Sequence, residues 1–193
     1  MSTDAYDIVV VGGGTAGAFA AASAAQQDLD VVLLERKSED EAGHIACGDA
    51  IKGKSTFPEV IDLDRLREEA FTNENIQRAV FEVPGGGTIE YPFETGSGAI
   101  VDRKRYGEVL LEEADRVGAE LHFDTVVQDV VQTDDGQVEG VKATRNGEKR
   151  RYDAEVVIDA AGALSILQDK ATLEAATFDT NVNFQQFCSA YRE

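Results

Sequence analysis

The first forty residues place two short apolar runs on either side of a glycine-rich turn and an alanine-rich stretch. Residues 6–11 form a β-branched run that predicts a strand covered on both faces, and residues 30–35 predict a second such strand. Between them, the turn at residues 12–17 leads into an alanine-rich stretch with high helix propensity that extends to Gln27. The opening of the chain therefore predicts a βαβ unit.

The middle of the chain contains two helical patterns. Residues 36–58 show no periodicity and predict a long irregular connection, followed by a short helix over residues 63–70. Asp102 is a good N-cap for a longer helix, whose apolar positions keep helical spacing as far as Val117.

The remaining apolar runs are short and separated by turn sequences, so they predict strands. Two of them flank the Pro-Gly-Gly-Gly sequence of residues 84–87, which indicates a hairpin. Asp-Asp-Gly and Arg-Asn-Gly turns join three later strands into a β-meander, which leads into a buried strand of parallel type. The predicted strands of these regions cover residues 76–83, 88–91, 120–123, 126–133, 137–144, 148–152 and 155–159.

The glycine turn follows the pattern Gly-x-Gly-x-x-Gly, with a buried strand before it and a helix after it. Gly12 can adopt a tight turn, Gly14 lets the backbone approach a pyrophosphate, and Gly17 lets the helix pack closely on the sheet. The amides around Thr15 and Ala16 open the helix, where N–H groups and the helix dipole favour an anion. This arrangement predicts dinucleotide binding.

An acid ends the second strand, at close to the usual separation of ~20 residues from the glycine turn. The carboxylate of Glu35 can accept hydrogen bonds from an adenosine ribose and would repel a 2′-phosphate, although Arg36 weakens the second point slightly. The motif alone does not separate FAD from NAD. Its N-terminal position, the meander crossover and the Asp-Ala-Ala-Gly turn of residues 159–162 favour FAD.

Composition excludes several classes of function. The 193 residues include 37 acidic and 18 basic side chains, for a net charge of −19, so binding to nucleic acid or electrostatic docking on an anionic membrane is not expected. We expect a high-salt cytoplasm to screen this charge, and the alternative is an ordinary acidic surface. No targeting or membrane-spanning segment, disulfide framework or metal-ligand spacing is predicted, and a reducing cytoplasm is the default.

With these features established, the chain resembles the FAD-dependent geranylgeranyl reductase family, and in particular its archaeal digeranylgeranylglycerophospholipid reductases. The motifs that carry the resemblance are the glycine turn, Glu35-Arg36, Ala46-Cys47-Gly48-Asp49-Ala50, Val101-Asp102-Arg103 and Val157-Ile158-Asp159-Ala160-Ala161-Gly162. The resemblance implies an α/β, Rossmann-like FAD-binding fold of the aromatic-hydroxylase (GR2) type, with a β-meander crossover and part of a second, β-rich substrate lobe.

The resemblance also implies a domain division. Residues 1–75 and 99–165 would form the N-terminal part of the FAD-binding domain, and the hairpin at 76–98 would belong to the substrate lobe. Because the family is about twice as long as this chain, residues 166–193 would be the start of a truncated substrate domain.

The same resemblance implies cofactor contacts. The glycine turn would meet the pyrophosphate, Glu35 the adenosine ribose, Val127 the adenine region, and Arg103 the FAD phosphates or ribityl chain. A cation in the first turn of a helix opposes the helix dipole, which favours a phosphate partner for Arg103. The cofactor-binding candidates are Gly12, Gly14, Thr15, Ala16, Gly17, Glu35, Arg36, Ala46, Cys47, Gly48, Ala50, Arg103 and Val127.

The implied reaction is saturation of isoprenoid double bonds in membrane ether lipids by reduced FAD. It would involve a polyprenyl lipid substrate, an electron donor such as a reduced nicotinamide or a ferredoxin, and peripheral membrane contact. Cys47 is the catalytic candidate, because a cysteine thiol with a pKa of about 8.5 could donate a proton near neutral pH. It could instead tune the flavin or be a small buried apolar residue. His44 is expected to be solvated and His122 structural.

Two other functions stay open at this point. One is a flavin-dependent monooxygenase or hydroxylase of the same fold that acts on a small aromatic compound. The other is a non-catalytic dinucleotide-binding module that senses redox state.

Overall fold

The computed structural model describes residues 2–44, 49–51, 57–93, 98–162 and 167–172. Its helices are α1 (Thr15–Ala25), α2 (Leu63–Ala70), α3 (Arg103–Arg116) and α4 (Leu167–Lys170). Its strands are β1 (Ser2–Val11), β2 (Val31–Leu34), β3 (Ala50–Ile51), β4 (Phe71–Ile76), β5 (Arg78–Val83), β6 (Gly87–Pro92), β7 (Gly98–Val101), β8 (Glu120–His122), β9 (Thr125–Gln132), β10 (Val138–Arg145) and β11 (Glu148–Asp159).

The main sheet has six strands in the order β8-β2-β1-β11-β10-β9. Strands β8, β2, β1 and β11 pair in parallel. Strands β10 and β9 then extend the sheet beyond β11 with antiparallel pairing. Val9 of β1 pairs with Val32 on one side and Val157 on the other, so β1 lies at the centre of the parallel part. This topology confirms the predicted α/β fold with a β-meander crossover.

Alternate residues of β1 and β2 face two separate cores. Val10 and Leu33 pack with helices α1, α2 and α3, whereas Val9, Val32 and Leu34 pack with the meander strands and Tyr152. The two-sided burial explains why both strands are apolar runs rather than alternating sequences.

One predicted boundary in the meander is wrong. The sequence predicts separate strands over 148–152 and 155–159, but β11 is continuous from Glu148 to Asp159. Asp153, in the expected gap, pairs with Gly140 of β10 and with Ala5 of β1. Because neighbours on both sides pair with its backbone, a polar side chain there does not end the strand.

Two small sheets lie outside the main one. Strands β3, β7 and β4 form the first, and the sequence predicts none of these strands except Ile76, the last residue of β4. Strands β5 and β6 form the second, an antiparallel hairpin at the predicted turn. Its predicted first strand over 76–83 is interrupted, since β4 ends at Ile76 and β5 begins at Arg78.

The described part of the segment after residue 165 packs on the main sheet. Leu167 of α4 is buried in the core on the meander side, and the backbone N–H of Thr172 donates to the side chain of Gln132 in β9. Across the described residues, no helix is both long and apolar enough to cross a membrane.

Candidate functional site

The glycine turn lies at the carboxyl end of β1, against the turn that follows β11. Gly12 has a φ of +107°, and a Cβ there would lie 2.5 Å from the carbonyl oxygen of Ala160. A Cβ on Gly17 would lie 1.8 Å from the carbonyl oxygen of Gly12. Both positions therefore require glycine on geometric grounds: the first for the turn, the second for the close approach of α1.

The N-terminus of α1 has no side-chain cap. Its N-cap residue, Gly14, is extended, no side chain caps the helix, and no acid lies in its first turn. In α2 and α3, by contrast, the side chains of Asp62 and Asp102 accept hydrogen bonds from first-turn amides. An uncapped N-terminus at a glycine turn leaves N–H groups and the positive end of the helix dipole available to an anion.

Glu35, at the end of β2, lies directly beside this turn. Its side chain is only 8% exposed. One carboxylate oxygen accepts a 2.6 Å hydrogen bond from the backbone N–H of Gly13, and the other accepts one of 2.8 Å from that of Lys37. The carboxylate is thus held at the edge of the turn, whereas the neighbouring Arg36 is exposed to solvent.

Arg103 reaches this site from the first turn of α3. Its Nη2 donates a 2.7 Å hydrogen bond to Oγ1 of Thr15, the first residue of α1. Its Cζ lies 4.8 Å from the ring centroid of Tyr106. Its Nε is buried and has no hydrogen-bond partner among the described residues. A buried, unpaired guanidinium N–H beside an uncapped helix N-terminus is suited to an anionic ligand.

Among the described residues, the other candidates take no part in the side-chain hydrogen bonds of Glu35 and Arg103. Val127 is half-buried in β9, a strand whose first residue, Thr125, donates its backbone N–H to the carbonyl oxygen of Glu35. Ala50 is exposed in β3, where it pairs with Ile100 of β7, close in sequence to the start of α3. Ala16 is exposed at the beginning of α1. The remaining candidates, Ala46, Cys47 and Gly48, lie outside the described residues.

Three contacts at the site escaped the sequence reasoning. Gly13, a variable position of the motif, holds Glu35, and a Cβ there would lie 3.0 Å from that carboxylate. Tyr106 resembled an ordinary core residue of α3. A Cβ on Gly107 would lie 2.2 Å from the carbonyl oxygen of Gly43, so the backbone of the loop before residue 45 contacts α3 directly. Gly107, a glycine inside a helical pattern, was the sequence feature that could have indicated this close contact.

These positions fit the diphosphate and adenosine ribose of a dinucleotide. The glycine turn, the start of α1 and Arg103 would hold the diphosphate, and Glu35 would hold the ribose. Within the described ranges, no group of three or more His, Cys, Asp and Glu side chains could hold a metal ion. A separate cleft of about 630 Å³ beside α3 is lined by carboxylates such as Glu108 and Glu112 together with apolar side chains such as Leu111.

Comparisons with known proteins identify the family of this chain. Residues 7–168 match the family described as FAD dependent oxidoreductase. A digeranylgeranylglycerophospholipid reductase of Methanocella arvoryzae is 30% identical over 163 residues, which cover 83% of this chain and 40% of that protein. A geranylgeranyl diphosphate reductase of Rhodobacter capsulatus is 35% identical over 167 residues, covering 86% of this chain and 39% of that protein.

A solved structure shows the same fold. A geranylgeranyl bacteriochlorophyll reductase-like protein of Thermoplasma acidophilum superposes with a TM-score of 0.73 at 24% identity, covering 92% of this chain and 44% of the other. The family match confirms FAD as the predicted cofactor and oxidoreductase as the predicted class, and the relatives confirm the predicted resemblance. The chain spans less than half the length of these three proteins.

Proposed function

Because the chain belongs to the FAD-dependent oxidoreductase family, we propose that it provides the cofactor-binding part of a reductase that saturates geranylgeranyl chains in membrane ether lipids. The convergence of Arg103 and the uncapped N-terminus of α1 on the glycine turn carries the cofactor assignment. The names of the two relatives, a reductase of digeranylgeranylglycerophospholipid and one of geranylgeranyl diphosphate, support the substrate class.

The residues of this chain bind and orient the cofactor in the proposed mechanism. The turn from Gly12 to Gly17 and Arg103 would hold the pyrophosphate, Glu35 would hold the adenosine ribose, and Val127 would contact the adenine region. When bound, reduced FAD supplies the hydride equivalent that an isoprenoid double bond requires. An unactivated double bond develops no oxyanion, so the substrate part of the site needs an apolar wall that excludes water rather than a cluster of charges.

Each saturated bond also takes one proton at its second carbon. We assign this proton to the thiol of Cys47, which the resemblance would place in the loop around the flavin. Replacing Cys47 with Ser or Ala would lower the rate of saturation while leaving the affinity for FAD unchanged. Unchanged saturation in both variants would remove Cys47 from the mechanism.

The hairpin formed by β5 and β6 belongs to the substrate lobe in this proposal. Its cross-strand pairs place Phe81 opposite Ile89, and Ala79 opposite Tyr91, on one face. Phe81 and Ile89 are each 58% exposed, and Tyr91 is 67% exposed. The opposite face is mixed, because it carries Glu90, which forms an ion pair with Arg78, and also the exposed Val80. One apolar face open to solvent suits the wall of an isoprenoid cavity.

A pair of variants tests the role of the hairpin. Phe81→Ser would weaken binding of a geranylgeranyl lipid, whereas Glu90→Gln on the other face would not. Binding of FAD would be the same in both. Equal lipid affinity in the two variants would contradict the assignment of residues 76–98 to the substrate lobe.

We also propose a setting for the reaction. The substrate requires contact with a membrane, which at a net charge of −19 would rely on an apolar surface in a high-salt cytoplasm rather than on anionic headgroups. The electron donor is a reduced nicotinamide or a ferredoxin, and the rate of flavin reduction by each distinguishes them.

Three measurements test the proposal. Titration of the purified chain with FAD, followed by flavin fluorescence in molar KCl, should show binding, and binding of NAD without FAD would favour the redox-sensing module. Deletion of the gene in its source cells should raise the proportion of unsaturated ether lipids. Unchanged lipid saturation would contradict the reductase, and oxygen consumption with an aromatic substrate would favour the hydroxylase.

A further inference from the structure

Arg103 is held from two sides, by Thr15 of α1 and by Tyr106 of its own helix. Thr15 Oγ1 accepts a hydrogen bond from Nη2, and the ring of Tyr106 lies under the guanidinium at 4.8 Å. Tyr106 is 3% exposed, so the ring is fixed in the core on the helix side of the sheet. These two contacts fix the direction of the guanidinium. In this orientation, the buried Nε has no hydrogen-bond acceptor among the described residues.

The electrostatics of this arrangement favour an anion. The guanidinium lies at the N-terminus of its own helix, α3, and its hydroxyl contact lies at the N-terminus of α1. The N-terminus of α1 is uncapped and carries partial positive charge, whereas the carboxylate of Asp102 caps α3, and no ion pair of Arg103 with a carboxylate occurs among the described residues. A cation at the uncapped end of α1 is unfavourable until an anion joins it.

We propose that Thr15 and Tyr106 are positioning residues that aim Arg103 at the FAD pyrophosphate rather than at the ribityl chain. This inference rests on the proposed FAD function. The hydroxyl of Thr15 holds one amino group at the start of α1, where amides already favour a phosphate. The aromatic face supports the planar guanidinium, and the remaining N–H groups present the fork that phosphate oxygens accept.

Ligand fragments separate the two targets of Arg103. ADP carries the diphosphate and the adenosine ribose but has neither ribityl chain nor flavin, and adenosine has no phosphate. Affinities for FAD, ADP and adenosine are measured by calorimetry at fixed KCl concentration. Arg103→Gln and Thr15→Val should each weaken FAD and ADP together, by about tenfold or more for Arg103→Gln and about three- to tenfold for Thr15→Val. Adenosine affinity should not change.

A double variant shows whether Thr15 acts through Arg103. In the Arg103→Gln background, Thr15→Val should add no further loss, because the guanidinium it positions is gone. Thr15→Ser keeps the hydroxyl and should retain the wild-type affinity, whereas Tyr106→Leu should lose affinity for ADP. Thr3→Val, at an exposed threonine of β1, is the matched control.

The outcomes distinguish this inference from the proposed function. If the wild-type chain binds neither FAD nor ADP, the proposed function is contradicted. If it binds both, the inference is overturned by unchanged ADP affinity in Thr15→Val, by additive losses in the double variant, or by an equal loss of adenosine affinity. Thr15→Val keeps the test valid even if Tyr106→Leu unfolds, because Thr15 is not a core residue.

Discussion

A methyl group at position 17 is the smallest change that should disrupt the glycine turn. In Gly17→Ala, the new Cβ would lie 1.8 Å from the carbonyl oxygen of Gly12, so α1 has to move away from β1. We expect FAD affinity to fall at least tenfold and the free energy of unfolding to fall by about 1–3 kcal/mol. Fluorescence titration and urea unfolding measure the two effects.

The control for this change lies on the same helix. Ser23→Ala, at an exposed position of α1, should alter neither quantity by more than about 0.5 kcal/mol. Wild-type FAD affinity in Gly17→Ala would show that the helix need not approach the turn so closely.

At the scale of elements, α2 and α3 are joined by a buried carboxylate. Glu113 of α3 is fully buried and accepts hydrogen bonds from Arg65 of α2, from Arg116 and from the backbone N–H of Asp62. Burial alone would raise the pKa of Glu113, but the hydrogen bonds from Arg116 and Arg65 outweigh it and lower the pKa. The carboxylate therefore stabilises the fold when it is ionised.

Replacing this carboxylate should weaken the packing of α2 against α3 and so lower the free energy of unfolding. Glu113→Gln should lower the free energy of unfolding by about 1–3 kcal/mol, less than for a fully buried pair because Arg65 and Arg116 remain partly hydrated. Urea unfolding at neutral pH gives the value. Glu68→Gln, on the exposed side of α2, should change it by less than about 0.5 kcal/mol, and an equal effect in both variants would contradict this role.

A second polar cluster joins β8 to β1 and β11. His122 is buried, with Nδ1 3.0 Å from the hydroxyl of Tyr152 and Nε2 close to a carboxylate oxygen of Glu120. The hydroxyl of Tyr6 donates to the other oxygen of Glu120. Burial lowers the pKa of His122, and the hydrogen bond with Glu120 opposes this only in part.

This lowered pKa gives a pH dependence with a definite sign. The unfolded chain binds the proton of His122 more readily, so the contribution is complete above the unfolded pKa of about 6.5 and is lost as the pH falls below it. Between pH 7.5 and 5.5, the free energy of unfolding should fall more in the wild type than in His122→Gln. His44→Gln, at an exposed loop histidine, should follow the wild type, and parallel curves for all three proteins would refute this linkage.

Local sequence patterns predicted those helices and strands in which buried residues recur at regular spacing. Helix α2 and the Asp102 cap of α3 have the predicted positions because propensity, apolar spacing and capping agree within a few residues. Strand β1 ends at Val11 as predicted but begins at Ser2 rather than Tyr6, because residues 2–5 pair with β11. Strands β3 and β7 escaped prediction because a two-residue and a four-residue strand show no period and exist through pairing with each other. The burial of Glu113 depends on Arg65, which lies 48 residues away, and no local pattern contains that information.

The candidate site divides in the same way. The glycine turn and Glu35 were predictable because motif and spacing lie within one βαβ unit. The contact of Arg103 with Thr15 joins residues 88 positions apart, so the sequence indicated a phosphate partner only through the resemblance and the helix dipole. Tyr106 was missed because a ring that supports a cation and a ring that fills a core have the same spacing on a helix.

For the whole molecule, the net charge of −19 predicts that salt stabilises the fold. At about 0.1 M salt the Debye length is about 10 Å, so exposed carboxylates repel one another across the surface, and at about 1 M it is about 3 Å. Ion pairs in close contact, such as Arg65 with Glu113 at 2.8 Å, are partly buried and therefore lose less to screening than the repulsion does. The midpoint of thermal unfolding, followed by circular dichroism, should rise by several degrees between these KCl concentrations.

A charge-reduced variant separates screening from other effects of salt. Glu41→Gln, Glu68→Gln and Glu74→Gln remove exposed carboxylates that form no ion pair among the described residues. The triple variant should unfold at a higher temperature than the wild type at about 0.1 M KCl and at nearly the same temperature at about 1 M, since screening already removes the repulsion there. An identical salt dependence in both proteins would mean that KCl acts through hydration of the surface, and the acidic composition would then not be the reason for the stabilisation by salt.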